Sequence, residues 1–201
     1  SMKYLGEQFD IHTGGIDHIP VHHENEIAQS EGATGKKWVN YWLHNEFLVI
    51  AKDKTQSGED SGKMSKSSGN FLTLQSLVDK GYDALDYRFF LLGAHYRSQV
   101  AFSWNAMDGA KNARKALIQR IAKVLRAVTT NDNVVLSEKA LEYQQKFKSA
   151  LENDLATPLA LSVLQIAVKD STLEPEQIIS LVKDMDKVLS SGLLEGAQVL
   201  N

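Results

Sequence analysis

Cysteine is absent from the 201 residues, which excludes disulfides and thiol chemistry from this chain. Proline is scarce, with 3 residues, and each one marks an expected helix start. No apolar run approaches the roughly 20 residues of a membrane span, and no secretory signal opens the chain. Strong charge of one sign is also missing. The formal charge of -3 leaves no global footprint for nucleic acid, so any RNA contact is local. These absences point to a cytoplasmic globular protein with no membrane partner. The 43% hydrophobic content and the length suffice for one large domain or two small ones with a real core.

Two regions of different character follow from the patterning. Gln8 to His12 alternates and runs into Thr13-Gly14-Gly15, which reads as a short strand ending in a glycine turn. Pro20 then takes a first helical position, with a helix through about Gly32. Phe47 to Ile50 is a continuous apolar run fit for a buried strand, and 52–62 is a polar loop. Thr73 and Asp83 are placed to cap two short helices. From Ser103 onward the pattern is helical. Leu117, Ile121, Leu125 and Val128 form an apolar stripe, and further helices begin at Ser137, Thr157-Pro158 and Glu174-Pro175. The expected architecture is α/β over residues 1–100, then an α-helical bundle over 101–201, helix-rich overall.

Three constellations carry chemistry. Lys63-Met64-Ser65-Lys66-Ser67 lies between Gly62 and Gly69. Two cations and several hydroxyls on a loop suit a polyphosphate, although a basic loop is more often merely solvated. The full five-residue string arises by chance in such a chain on the order of once in ten thousand. His22 and Glu26 are four residues apart, which puts both on one helix face where they can chelate a cation or simply pair; two ligands alone cannot close a zinc site. His18 and His23 lie nearby, and five of the 6 histidines precede residue 45. The Gly14-Gly15-x-Asp17 turn allows a ligand close to the backbone, and it is equally an ordinary strand-to-helix turn.

Together these strings resemble the class I aminoacyl-tRNA synthetases, and cysteinyl-tRNA synthetases in particular. The resemblance runs through Phe9 to Asp17, His22 to Glu31, Asn40 to His44, the Lys63–Ser67 (KMSKS) loop, Tyr87 to Leu92, His95 to Ser98 and Phe147 to Ala160. It implies the second half of a class I Rossmann-type catalytic domain, followed by a helical connective domain that contacts tRNA stems. It implies ATP with Mg, cysteine and tRNA as substrates, joined through cysteinyl-adenylate. Lys63 and Lys66 become the candidate catalytic pair, with Ser65, Ser67, Gly14, Gly15 and Asp17 also at ATP. His22 and Glu26 become ligands of a zinc ion whose remaining ligands lie outside this chain. The basic helix bearing Lys111, Arg114, Lys115 and Arg120 becomes a candidate tRNA contact, against the plainer reading of a solvated face.

Departures accompany the likeness. The family's His-x-Gly-His motif, its zinc-binding cysteines and its terminal RNA-binding region are not in these 201 residues. The resemblance therefore implies part of a synthetase, with uncovered sheet that calls for the missing N-terminal half or a dimer partner. Two other readings compete: a ligase joining cysteine to an amino sugar in mycothiol synthesis, and a non-catalytic RNA or protein interaction module. The expectation for the pure 201-residue chain is no cysteine-dependent ATP–pyrophosphate exchange. Measured exchange above a no-enzyme blank overturns it.

Overall fold

The computed structural model of the protein describes residues 2–51, 73–129 and 134–200; the Lys63–Ser67 loop lies outside them. The chain divides into two compact units, 1–49 with 96–101, and 50–95 with 102–201. These units depart from the expected division at residue 100. Helices α3 (Leu74–Asp79) and α4 (Ala84–Leu92) cluster with the later helices, because Phe89 is part of their shared core.

In the first unit, α1 (Met2–Leu5) precedes strand β1 (Phe9–Gly15). A 3₁₀ turn (Ile16–His18) and a π-helical turn (Ile19–His23) lead into α2 (Glu24–Thr34), and β2 (Val39–Asn45) returns beside β1. The two strands are parallel, with Phe9 opposite Val39 and Gly14 opposite His44. A parallel return needs a long crossover, which α2 supplies. The strand ends at the glycines as expected, but Gly14 and Gly15 are its last paired residues rather than part of the turn, which starts at Ile16. Pro20 stands in the π turn, so α2 begins later, at Glu24. Trp38 and Val39 are each 2% exposed, and Trp38 packs edge-on against Phe9. Ile11 and Tyr41, register partners, are 58% and 67% exposed, so that face of the pair is uncovered. A second two-stranded sheet joins β3 (Leu48–Ile50) to β4 (Val100–Phe102). The apolar run at Phe47–Ile50 foretells β3; β4 is too short to announce itself.

The second unit is helical. Thr73, Asp83, Ser103 and Ser137 each accept a backbone N–H at the start of α3, α4, α5 (Trp104–Leu125) and α6 (Glu138–Glu152), as their positions predict. Helices α7 (Thr157–Ala167), α8 (Pro175–Leu189) and α9 (Leu193–Val199) complete it, α9 being unforeseen. Leu117 and Ile121 of the expected stripe are buried with Met107, Ile118 and Ala122, and the helix stops at Leu125, short of Val128. Ile121, Leu164, Leu181, Met185, Leu189 and Leu193 form the driest part of the core. Each such side chain contributes about 1.5–3 kcal/mol of burial. Among the described residues, no helix is long and apolar enough to cross a membrane.

Buried charge fixes the turn between α8 and α9. Asp86 pairs with Arg114 at 3.1 Å, and Arg114 also donates to the Ser191 carbonyl at 2.9 Å. Arg88 donates to the Leu189 carbonyl, while Asp186 accepts from the Ser191 and Leu193 amides at 2.8 and 2.7 Å. Gly192 has φ +61, and a Cβ there would sit 2.7 Å from Leu85, so only glycine suits the turn. Losing one partner of such a pair strands a buried charge, at about 3–5 kcal/mol.

Between α6 and the end of α7, the Tyr143 hydroxyl donates to Asp170 at 2.8 Å. Burial first, then this bond and the Asp170 charge, push Tyr143 up to about 12. Hydrogen bonds from Thr172, then from Lys139 and Tyr143, hold the Asp170 carboxyl well below its usual range. Tyr143 stays protonated in the fold after it would ionise in the unfolded chain. Its contribution is therefore complete below pH ~10 and is lost as pH rises toward about 12. Urea unfolding followed from pH 9 to 12 is expected to show this loss, and Tyr143→Phe to flatten it.

Candidate functional site

The Gly14–His44 pairing builds the site in the first unit. A Cβ at Gly14 would lie 2.6 Å from His23 Cε1 and 2.8 Å from both His23 Nε2 and His18 Nδ1. The bare backbone is thus the seat of the His23 ring. On the neighbouring strand, His44 Nε2 lies 2.8 Å from His23 Nδ1. Two positions before Gly14 on β1, His12 sends its ring to the same place, 4.9 Å from the His23 ring and edge-on to it. Trp42 covers both imidazoles, at 4.9 Å from His12 and 4.8 Å from His23.

Glu26 on α2 faces this cluster. Its Oε2 is 3.1 Å from His12 Nε2 and 4.0 Å from His23 Nε2; its Oε1 is 3.7 Å from His22 Nε2. His12 stands within ion-pair distance of Oε2, yet that oxygen is buried and accepts no hydrogen bond among the described residues. Burial lowers the pKa of His23, and the neighbouring His12 and His44 lower it further while Glu26 opposes them. His23 is therefore neutral at pH 7, with a lone pair available on one ring nitrogen.

The predicted pair His22 and Glu26 is brought together, with His22 the more exposed partner. His12, His23 and His44 are the residues that sequence reasoning did not assign. The concentration of histidines before residue 45 was their signal, but their convergence depends on strand register. Asp17 folds its carboxylate back over Gly15, so Gly14, Gly15 and Asp17 stand together beside the histidines. Lys63, Ser65, Lys66 and Ser67 lie outside the described residues.

The basic residues of α5 part company. Arg114 is turned inward onto Asp86, and Lys111 donates to the Gly81 carbonyl at 2.8 Å while lying over the Tyr82 ring. Lys115 and Arg120 are exposed.

The fold defines a class. It is similar to the agnB2 LeuRS of Agrobacterium radiobacter K84, solved as a ternary complex with tRNA and LeuAMS, with a TM-score of 0.62, 14% identity, and coverage of 95% of this chain and 27% of that one. It is thus a class I synthetase-like fold, rich in helix. Within that class the chain belongs to the family of tRNA synthetases class I (C), whose catalytic-domain model matches residues 1–112. Curated relatives agree along the whole sequence. A cysteine–tRNA ligase of Treponema denticola is 52% identical over 97% of this chain and 41% of its own length. Those of Treponema pallidum and Zymomonas mobilis are 42% and 39% identical, over 98% and 96% of this chain and 42% of their own lengths. The chain spans about two fifths of the length of these relatives.

The seat at Gly14 has a direct test. Gly14→Ala is expected to destabilise the chain by about 1–3 kcal/mol, as overpacking in a full site does. Gly32→Ala, in α2 with nothing within 4 Å of the added Cβ, is expected to stabilise it by about 0.5–1 kcal/mol. Equal effects of the two in urea unfolding contradict the seat.

Proposed function

We propose that this chain forms one side of a class I active site that joins cysteine to tRNA through cysteinyl-adenylate. The observation that carries the reading is the 52% identity to a cysteine–tRNA ligase across 97% of the chain. In this reading residues 1–100 are the later half of a Rossmann-type catalytic domain, and 101–201 are its helical connective domain. The uncovered Ile11–Tyr41 face takes helices from the rest of the catalytic domain, since parallel sheets are covered on both faces. The work is done in the cytoplasm, with cysteine, tRNA and ATP as partners.

Each group has a task. Lys66, assisted by Lys63, stabilises charge developing on pyrophosphate as the cysteine carboxylate attacks the α-phosphate of Mg-bound ATP. Ser65 and Ser67 add hydroxyl donors to the phosphates. Gly14, Gly15 and Asp17 floor the adenylate site, where the glycines let a ligand approach the backbone. His22 and Glu26 hold zinc. Their 3.7 Å separation is close to the spacing of about 3.4 Å that two donors keep on a tetrahedral zinc ion. Zinc, when bound, supplies a soft Lewis-acid seat for thiolate, which favours cysteine over serine. Lys115 and Arg120 meet tRNA phosphates through salt-sensitive contacts. Lys111 and Arg114 serve by holding α5 in place.

A chimera tests this reading. The matching segment of the Treponema denticola ligase is replaced by this chain, and amino-acid-dependent ATP–pyrophosphate exchange is measured. Exchange that depends on cysteine, and that falls by about 100-fold or more in Lys66→Ala, is expected. A folded chimera that is inert, or that responds to another amino acid, refutes it.

A further inference from the structure

His95 opens one of the strings that carry the family resemblance, and Asp154 lies within another, Phe147 to Ala160. Both residues belong to the second unit, and there they meet. His95 Nε2 is 2.8 Å from the Asp154 carbonyl oxygen and 4.0 Å from the carboxylate of the same residue. We propose that His95 is a positioning residue for the tRNA step: it latches the turn between α6 and α7 in a left-handed backbone conformation. The tRNA half of this inference rests on the reading of the chain as part of a cysteine–tRNA ligase; the latch itself does not.

The turn is strained. Asp154 and Leu155 each have φ +53, and among the described residues Ser190 is the one other non-glycine with a positive φ. In that region Cβ crowds the following carbonyl, which Asp tolerates better than Leu. Leu155 is 45% exposed, so burying its side chain does little to offset the cost. The compensation comes from main-chain groups. The Leu155 N–H donates to the Leu151 carbonyl and the Ala156 N–H to that of Ala150, both at 3.0 Å. The Asp154 carbonyl accepts from His95, and since a carbonyl only accepts, Nε2 carries the proton in this pairing.

The start of α7 depends on the same segment. Its N-cap, Ala156, makes no side-chain capping bond, whereas the caps of α3, α4, α5 and α6 all do. Thr157, the first residue of α7, donates its hydroxyl to the Ala94 carbonyl at 3.3 Å. Ala94 and His95 therefore hold both sides of the junction. Ala150, Ala160, Leu161 and Leu164 keep the flanking helices in the common core, so release of the latch relaxes the turn and leaves the helices packed. Strain held by one side chain makes a two-state element, latched or relaxed. On the last turns of α6, Lys146 and Lys148 are exposed and paired with Glu142 and Glu152 of their own helix. Such surface pairs are weak, and phosphates can displace the carboxylates. The groups assigned to cysteine activation lie outside α6 and α7, so the latch bears on tRNA and leaves adenylate formation alone.

The test uses the Treponema denticola ligase carrying this chain as its matching segment, and the 201-residue chain itself. In the chimera, His95→Ala is expected to leave cysteine-dependent ATP–pyrophosphate exchange within about twofold of the parent. It is expected to raise KM for tRNA in aminoacylation by about 3–10-fold, the size of one lost hydrogen bond. His95→Gln, whose side-chain N–H can reach the same carbonyl, is expected to restore most of the loss. Glycine takes a left-handed φ freely, so Leu155→Gly added to His95→Ala is expected to recover it too. In the 201-residue chain, protection of the Ala156 amide from hydrogen exchange is expected to fall by about 3–10-fold in His95→Ala. Circular dichroism checks folding, and Thr157→Val carries the same predictions if His95→Ala unfolds. Unchanged protection at Ala156 overturns the latch. An unchanged KM for tRNA, or equal losses in exchange and aminoacylation, overturns the positioning role. Rescue by His95→Gln without rescue by Leu155→Gly shows that the contact does not act through the turn, and overturns it as well. A parent chimera without exchange refutes the active-site reading and the tRNA half with it, while protection at Ala156 still decides the latch.

Discussion

The parallel pairing that sets Gly14 opposite His44 governs the first unit. Parity along a strand is fixed, so choosing this pair also chooses where His12 and Trp42 project. A residue without a side chain, Gly14, then falls where the ring of His23 lies. A slip of a single residue one way would put the Thr13 side chain in that gap, and a slip either way would send His12 to the other face. The histidine cluster is thus a consequence of strand register before it is a matter of histidine chemistry.

The second unit solves a different problem. Its helices are secured by apolar burial, but the sharp turn from α8 to α9 leaves carbonyls and amides with no helical partner. Arg88 and Arg114 take the carbonyls, Asp186 takes the amides, and Asp86 neutralises Arg114 while also capping its own helix. A basic residue on a helix surface pattern is here part of the interior. Charge counting along α5 cannot distinguish Arg114 from Lys115, because the difference lies in Asp86, 28 residues away.

Local signals were legible in proportion to how local their physics is. Thr73, Asp83, Ser103 and Ser137 act within one turn of themselves, and each caps the helix that its position announces. The helices of the second unit other than α9 followed from capping residues, apolar period and Pro158 and Pro175. Strand β2 did not, because Val39 to Asn45 mixes aromatic, amide and imidazole groups without clean alternation. Its strand character comes from pairing with β1. The His22–Glu26 pair was readable from four-residue spacing. His12 and His44 required knowledge that segments about 30 residues apart lie side by side in register. The family resemblance named the chemistry, and the fold showed which imidazoles share a carboxylate.

The π turn at Ile19–His23 stores one residue more than an α turn would hold. That surplus is where His22 and His23 diverge, one toward solvent and one into the cluster. Excising a single residue there would restore even winding and rotate what precedes α2 by about 100° relative to it. Chain length and composition would barely change, yet the two imidazoles could no longer flank the same carboxylate from different sides.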